Sequence, residues 1–216
     1  MNAVEVKNLS FKYNNSEGYV LKDVNFSVRK GETVAIIGQS GCGKSTLCNL
    51  ICGLIPRLYK GELSGEVLIF GENINRLSIS ETVSKIGIIF QNPSTQLFSP
   101  TIEDELAFGP ENLCVEREEI CNRIDKILKT MNMEKYRYDN PNNLSGGQQQ
   151  LVAIASVLML APSILICDEI MSWIDDEGKE IIKDVLLKLK EEGKTIIMVD
   201  HDYDNIKIAD RIFNLR

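Results

Sequence analysis

The segment from Gly38 to Thr46, GQSGCGKST, restricts the fold of this chain more than any other feature. It fits the pattern G-x-x-x-x-G-K-[ST], in which glycines allow successive backbone N–H groups to point inward and form a nest for phosphate oxygens. The apolar run TVAII precedes the segment, and a helical pattern starting at Lys44 follows it. The sequence therefore predicts a phosphate-binding loop between a buried strand and a helix N-terminus, whose partial positive charge attracts anions.

Short continuous apolar runs recur along the chain and are typical of strands that are buried on both faces of a parallel sheet. These runs are residues 33–38, 86–90, 163–167 and 195–199, and a further strand is predicted from Arg211 to Leu215. The N-terminal residues instead alternate between apolar and polar, which predicts antiparallel strands with one solvated face. Apolar residues at helical spacing predict helices at 44–55, 118–131, from 146 onward, and at 178–192.

Residues 91–160 are mostly helical in pattern and interrupt the alternation of strands and helices. We therefore predict one α/β domain over residues 1–216, in which a helical subdomain (91–160) is inserted into a parallel-sheet core. The core and an antiparallel N-terminal β subdomain together take residues 1–90 and 161–216.

Two carboxylates follow the apolar run at 163–167, so Asp168 is predicted at the carboxyl end of a buried strand, beside the phosphate loop. A magnesium-bound nucleotide needs an oxygen ligand there. Glu169 faces another direction and is placed to polarise a water for attack on a terminal phosphate.

Composition excludes several classes. The chain has 24 Lys+Arg and 31 Asp+Glu, a net charge of −7, so we expect no nucleic-acid partner. Six cysteines without a Cys-x-x-Cys pair and a single histidine argue against zinc and predict thiols that act as small hydrophobes in a reduced cytosolic compartment. The longest apolar run, 151–167, is broken by Pro162 and predicts a helix followed by a strand rather than a membrane span.

The segment Leu144-Ser145-Gly146-Gly147-Gln148 has the spacing of a capping box at the start of a helix. Its glycines are costly in a helix and favour a close backbone approach at a second anion site. With this segment the sequence resembles the ATP-binding cassette (ABC) family of ATPases, whose signature is LSGGQ. The resemblance implies a P-loop NTPase fold with a RecA-like parallel sheet. It also implies ATP and Mg²⁺ as cofactors, and a head-to-tail dimer in which each signature contacts the ATP of the partner chain.

The remaining family positions occur in order along the chain. Gln91 matches the Q-loop glutamine, Asp175 the D-loop aspartate and His201, the only histidine, the switch histidine. Tyr13 matches the aromatic residue that stacks on adenine in this family, and Phe11 and Tyr19 are alternatives for that role.

The resemblance thus assigns three sets of residues. The catalytic set is Lys44, Gln91, Glu169 and His201. The nucleotide-binding set is Tyr13, Gly38, Ser40, Gly41, Cys42, Gly43, Lys44, Ser45, Thr46, Ser145, Gly147 and Asp175. The magnesium set is Ser45, Gln91 and Asp168.

The sequence departs from the family at Ile170-Met171, where Pro-Thr is usual, and at its end, Arg216, beyond which many relatives continue. The second departure indicates either a minimal subunit or a shortened chain.

The stretch from Phe90 to Asn112, FQNPSTQLFSPTIEDELAFGPEN, resembles the ATPase subunits of energy-coupling factor (ECF) transporters, which drive uptake of vitamins or of cobalt and nickel ions. This resemblance implies a homo- or heterodimer with a second ABC ATPase chain on the cytoplasmic face of the membrane. It also implies an integral membrane subunit that docks between Gln91 and Asn112, where acidic residues can receive a basic coupling helix.

Three alternatives are weighed against an ECF importer. The first is an ABC ATPase of another transporter class. The second is a DNA-associated ABC ATPase, which would carry a long coiled coil between the Q-loop and the signature, where no heptad run occurs. The third is a non-catalytic relative, which the presence of Lys44, Asp168, Glu169 and His201 opposes.

Overall fold

The chain forms two β-sheets with helices packed on them, and the computed structural model describes residues 1–215. The strands are β1 (Asn2–Tyr13), β2 (Leu21–Arg29), β3 (Thr33–Ile37), β4 (Gly61–Ile69), β5 (Glu72–Asn73), β6 (Ile86–Ile89), β7 (Ile164–Asp168), β8 (Thr195–Val199) and β9 (Arg211–Asn214). The helices are α1 (Lys44–Ile51), α2 (Leu54–Arg57), α3 (Ile79–Lys85), α4 (Ile102–Asn112), α5 (Arg117–Thr130), α6 (Gly146–Leu158) and α7 (Asp176–Glu191). Short 3-10 turns occupy Ile74–Arg76, Pro93–Thr95, Glu134–Tyr136, Pro141–Asn143 and Asn205–Ile208.

One sheet is antiparallel and the other is parallel, which confirms the predicted α/β fold. The antiparallel sheet has the order β2-β1-β4-β5, and the parallel sheet has the order β6-β7-β8-β3-β9. The apolar residues Val24, Phe26 and Val28 of β2 are buried and alternate with exposed residues. All five residues of β8 are buried, as expected of a strand covered on both faces.

The parallel sheet separates two hydrophobic cores. Ile164 and Ile166 of β7 belong to the core shared with α1 and the antiparallel sheet. Leu165 and Cys167 of the same strand belong to the core shared with α4, α5, α6 and α7. Because successive strand residues point to opposite faces, α1 and α6 lie on opposite sides of the parallel sheet. Burial raises the pKa of the Cys167 thiol to about 12, so this cysteine acts as a small hydrophobe, as predicted.

The mostly helical segment lies between β6 and β7 and contains α4, α5 and α6. The longest apolar run of the sequence is divided between the end of α6 and strand β7, with Pro162 in the connection, as predicted. Within residues 1–215, no helix has the length and apolar character that a membrane crossing requires.

The first helix is shorter than the predicted 44–55. Helix α1 ends at Ile51, and Gly53 then adopts a left-handed backbone with φ of 73°. Ile55 precedes Pro56 and is extended, with φ of −100° and ψ of 128°. The proline ring disfavours helical geometry in the residue before it, so the helix cannot continue to Ile55.

Candidate functional site

The predicted phosphate loop connects β3 to α1, and two of its glycines lie too close to neighbouring residues for a side chain to fit. A Cβ at Gly43 would lie 2.7 Å from Leu21 Cδ2, and φ of Gly43 is +101°. A Cβ at Gly38 would lie 2.6 Å from the carbonyl oxygen of Leu215. No side chain caps the N-terminus of α1, where Gly43 is the N-cap. The first turn of α1 therefore presents N–H groups without a side-chain acceptor, as an anion site requires.

Lys44 lies over this loop. Its Nζ donates hydrogen bonds to the carbonyl oxygens of Gly38 at 3.0 Å and Gln39 at 3.1 Å. The side chain is 7% exposed, although the residue is cationic. The loop carbonyls thus hold a desolvated ammonium group beside the open N-terminus of α1, where it adds positive charge to that of the helix dipole.

Asp168 ends β7 and faces Ser45. Burial raises the pKa of the Asp168 carboxyl, and the charge of Glu169 adds to the rise, whereas the hydrogen bond of Ser45 and the charge of Lys44 oppose it. The Oδ1 atom of Asp168 is buried and has no hydrogen-bond partner in the described chain. A buried, unpartnered carboxylate oxygen next to a serine hydroxyl fits the oxygen ligands that Mg²⁺ prefers.

Glu169 and Gln91 are brought together from different strands. The Gln91 Nε2 donates to Glu169 Oε2 at 3.0 Å, and the Glu169 N–H donates to the Val199 carbonyl at 2.9 Å. Glu169 has a left-handed backbone, with φ of 51°, which is a strained conformation for a non-glycine residue. Because of this turn after β7, the carboxylate of Glu169 faces Gln91 at the end of β6, whereas the carboxylate of Asp168 faces Ser45.

His201 follows β8, the neighbour of β7 in the sheet, so it lies at the same sheet edge as Asp168. Its side chain is 69% exposed, and its Nδ1 is 4.0 Å from Asp200 Oδ1. The buried Asp200 accepts hydrogen bonds from Asn205 Nδ2 and the Asp202 N–H, both at 2.9 Å. Asp200, which the sequence did not single out, thereby fixes the backbone that presents His201.

Of the three predicted aromatic residues, Tyr13 contacts the first turn of α1. Its hydroxyl is 3.2 Å from Thr46 Oγ1 in the first turn of α1, and its ring packs edge-on against Phe11. Phe11 is fully buried and cannot stack on a ligand, which removes one alternative. Tyr19 is 55% exposed and remains the other alternative.

Ser145 is the N-cap of α6, and the predicted capping box with Gln148 is present. The Gln148 N–H donates to Ser145 Oγ at 3.4 Å, and the Ser145 N–H donates to Gln148 Oε1 at 3.0 Å. The two glycines of this motif differ. A Cβ at Gly147 would approach Ile174 Cγ2 to 3.3 Å, whereas a Cβ at Gly146 would meet nothing closer than 3.8 Å. Packing within this chain therefore accounts for Gly147 but leaves Gly146 unexplained.

Asp175 is the N-cap of α7 and accepts a hydrogen bond from the Gly178 N–H at 3.0 Å. Its structural role is thus to start a helix beside Gly147. The unusual pair Ile170 and Met171 is buried in the core around α4 to α7. The departure from the family pattern is therefore a hydrophobic core feature.

The predicted site residues form two groups. Lys44, Ser45, Asp168, Glu169 and Gln91 meet around the phosphate loop through the contacts given above. The second group is Ser145, Gly147 and Asp175, at the adjacent N-termini of α6 and α7. Within residues 1–215 no side-chain hydrogen bond connects the two groups, and α1 and α6 lie on opposite faces of the parallel sheet.

The segment between Gln91 and Asn112 has a mixed surface. Phe98 and Phe108 are 64% and 48% exposed, and their rings contact each other at 4.8 Å. Glu105, in contrast, is 5% exposed, and its Oε2 accepts the N–H groups of Phe98 at 3.0 Å and Ser99 at 2.9 Å. Glu105 is therefore not a surface charge, although it is one of the acidic residues between Gln91 and Asn112 that we expected to receive a basic coupling helix.

Two further residues make hydrogen bonds next to the predicted site residues, and no sequence motif indicated either of them. Gln150 is fully buried and donates to the Phe90 carbonyl at 3.2 Å, directly before Gln91. Tyr136 accepts a hydrogen bond from Gln148 Nε2 at 3.0 Å. Both contacts join residues that are distant in sequence, so local pattern could not reveal them.

A family model described as ABC transporter matches residues 21–172. The chain is 48% identical over 214 residues to a putative ABC transporter ATP-binding protein of Pyrococcus abyssi, covering 98% of this chain and 76% of that protein. It is 42% identical over 215 residues to the energy-coupling factor transporter ATP-binding protein EcfA1 of Ligilactobacillus salivarius, covering 99% and 74%.

Two solved structures are also similar. One is cbiO1 from Clostridium perfringens, described as part of the ABC transporter complex cbiONQ, with a TM-score of 0.86, 34% identity and coverage of 100% of this chain and 85% of that chain. The other is a dimeric ATP-binding cassette in a post-hydrolysis state bound to ADP and Pi, with a TM-score of 0.82, 35% identity and coverage of 99% and 94%.

Proposed function

Since this chain belongs to the ABC transporter family and is an ATP-binding ATPase of that family, we propose that it is the ATP-hydrolysing subunit of an ECF-type importer. In this proposal it works in a head-to-tail dimer with a second ABC ATPase chain, and hydrolysis drives uptake of a vitamin or a transition-metal ion. The observation that carries the proposal is the division of the site into two groups. One chain supplies the phosphate loop with its carboxylates, and the partner chain supplies Ser145.

Each group has a defined task in the composite site. The N–H groups of α1 and the ammonium of Lys44 hold the phosphates. The unpartnered Oδ1 of Asp168, the Ser45 hydroxyl and the Oε1 of Gln91 would hold Mg²⁺, which when bound neutralises phosphate charge. The N-terminus of α6 from the partner closes over the terminal phosphate.

Glu169 is the proposed general base. Its carboxylate takes a proton from a water whose oxygen attacks the γ-phosphorus, while the bond between that phosphorus and the β–γ bridging oxygen breaks. The Gln91 amide holds this carboxylate at 3.0 Å. His201, exposed at the adjacent strand end, is proposed to contact the γ-phosphate.

The proposed docking surface for an integral membrane subunit is the exposed aromatic pair Phe98 and Phe108 together with Asp104, an exposed residue of α4. Apolar anchors with a polar neighbour are typical of interface centres. Such docking would place the chain at the cytoplasmic face of the membrane as a peripheral subunit. The ECF assignment is supported by the similarity to EcfA1 and to cbiO1. The DNA-associated alternative loses support because α4 and α5 are only 11 and 14 residues long.

The Glu169→Gln variant tests this proposal. It keeps the shape of the side chain and removes the base, so we expect phosphate release to fall about 10²- to 10⁴-fold while MgATP binding is retained. The variant should accumulate as an ATP-bound dimer, which light scattering detects. Trp173, the only tryptophan, is 80% exposed beside Gly146, so its emission should shift to shorter wavelength when the dimer forms.

The matched control is Glu177→Gln, an exposed carboxylate in the first turn of α7, which should hydrolyse ATP at the parent rate. A Glu169→Gln chain that binds MgATP but stays monomeric at micromolar concentration would contradict the head-to-tail arrangement.

A further inference from the structure

The connection between α5 and the signature helix α6 makes hydrogen bonds at the N-termini of two helices, α6 and α4. We call residues 136–139 the strut. On the α6 side, Tyr136 Oη accepts the hydrogen bond of Gln148 Nε2 at 3.0 Å. The other end of the same amide, Oε1, accepts the Ser145 N–H at 3.0 Å. A rotated amide would place its NH₂ group against the Ser145 N–H. Because the Ser145 N–H can only donate, it selects the amide orientation, and the Tyr136 hydroxyl accepts from the opposite end of the amide and anchors the Gln148 side chain in the capping box.

On the opposite side the strut completes the N-terminus of α4. The first two N–H groups of that helix donate to strut carbonyls, Ile102 to Asp139 at 3.1 Å and Glu103 to Arg137 at 2.9 Å. These are helix donors that have no partner within α4 itself. The guanidinium of Arg137 also pairs with the Glu103 carboxylate and, at 2.5 Å, with Asp125 Oδ1 of α5. The strut is thus attached to the helix that carries the proposed docking surface.

We propose that the strut positions the signature for the partner's ATP and links it mechanically to α4, with Tyr136 as the positioning residue. The proposal rests on the proposed function, because it requires that Ser145 acts on a nucleotide of the partner chain. Tyr136 does not touch that nucleotide. It acts through Gln148, whose amide fixes the direction in which Ser145 and the first turn of α6 face.

The first experiment uses the Glu169→Gln chain, in which ATP drives dimerisation without hydrolysis. Tyr136→Phe removes only the hydroxyl. Loss of one neutral hydrogen bond should weaken each composite site roughly three- to tenfold, so dimer association with two sites should weaken on the order of 10- to 100-fold. Light scattering over a range of protein concentrations measures this. Nucleotide affinity of the monomer should not change, because the phosphate loop lies on the other face of the sheet.

The matched control is Tyr138→Phe. Tyr138 is two residues away and 72% exposed, and its hydroxyl makes no hydrogen bond in the described part of the chain. It should dimerise like the Glu169→Gln parent. If the parent dimerises and Tyr136→Phe does so equally well, the positioning role is wrong. If the parent itself stays monomeric with ATP, the head-to-tail function fails instead.

A second variant tests the link to α4. Arg137→Gln removes the pairs with Glu103 and Asp125 but leaves the Tyr136 hydroxyl in place. If the strut acts as one unit, ATP-driven dimerisation should weaken about threefold or more. Parent-like dimerisation of a folded Arg137→Gln chain would overturn the link.

A mixture of two variant chains distinguishes a loss of positioning in Tyr136→Phe from a loss of its fold. With Glu169 intact, Tyr136→Phe chains are mixed with Lys44→Ala chains. A mixed dimer has one site built from the intact phosphate loop of the first chain and the intact signature of the second. Phosphate release per Tyr136→Phe chain should therefore rise on mixing. A misfolded variant would show no rise, and that outcome would refute the positioning role.

Discussion

Substitution of Glu105 tests the finding that one of the three acidic residues in the first turn of α4 is buried and holds the preceding loop. The Glu105 carboxylate holds the loop before α4 by accepting the N–H groups of Phe98 and Ser99 on a single oxygen. Hydrogen bonds to a charged group are worth about 1.5–3 kcal/mol each. Because both share one acceptor, we expect Glu105→Ala to lower the local free energy of opening by about 2–5 kcal/mol.

The series Glu105→Gln, Glu105→Ala and Glu105→Lys should be increasingly destabilising. Glutamine keeps a neutral acceptor and should cost about 1–2 kcal/mol, the difference between charged and neutral hydrogen bonds. Lysine places an ammonium against two N–H donors in a site that is 5% exposed, so it should cost more than alanine.

Amide hydrogen exchange at Phe98 and Ser99 is the direct assay, since it reports opening of these two N–H groups. A loss of about 2 kcal/mol corresponds to roughly 30-fold faster exchange at both amides. The control Glu111→Ala changes an exposed carboxylate of the same helix and should shift stability by less than about 0.5 kcal/mol. Unchanged protection at both amides in Glu105→Ala would show that the carboxylate does not hold the loop.

Two further predictions concern the two groups of the site. Gly146→Ala should leave the monomer as stable as the parent, because the added Cβ would meet nothing closer than 3.8 Å, but should impair ATP-driven dimerisation of the Glu169→Gln chain. Parent-like dimerisation would contradict a close approach by the partner. Asp168→Asn should raise the thermal unfolding temperature at pH 7 without nucleotide or magnesium. Burial raises the pKa of Asp168, so ionisation costs stability above the folded-state pKa, and the gain should vanish as pH falls to the unfolded value of about 3.9. A gain independent of pH would indicate a steric cause.

Local sequence patterns predicted the fold well where one element determines its own structure. The run at 195–199 has no polar residue but Thr195, and β8 is buried throughout. Ser145 and Gln148 have the spacing of a capping box, and the box is formed. A local signal was also overlooked at the end of α1, because Pro56 restricts Ile55 by a rule that needs no tertiary information.

Other features depend on contacts between distant residues. Acidic residues in the first turn of a helix are normally solvated, and nothing near Glu105 in sequence reveals that the preceding loop folds back on its carboxylate. The hydrogen bond of Tyr136 to Gln148 depends in the same way on how α5 returns to α6. The loop between β3 and α1 was predictable because its glycine spacing and the flanking strand and helix are all local.

The divided site follows from the same distinction between local and long-range structure. A helix N-terminus needs only its own cap and first turn to attract an anion, so both halves of the proposed site, at α1 and at α6, can be read from local sequence. The relative positions of α1 and α6, in contrast, depend on the parallel sheet. Its strands β3, β7 and β8 direct alternate residues into two separate cores, one containing α1 and the other α6. With α1 packed in one core and α6 in the other, the proposed function has Ser145 act on the phosphate loop of a partner chain rather than on that of its own chain. In the proposed head-to-tail dimer, two-fold symmetry would meet this requirement at both sites at once, because each phosphate loop would receive the α6 N-terminus of the other chain.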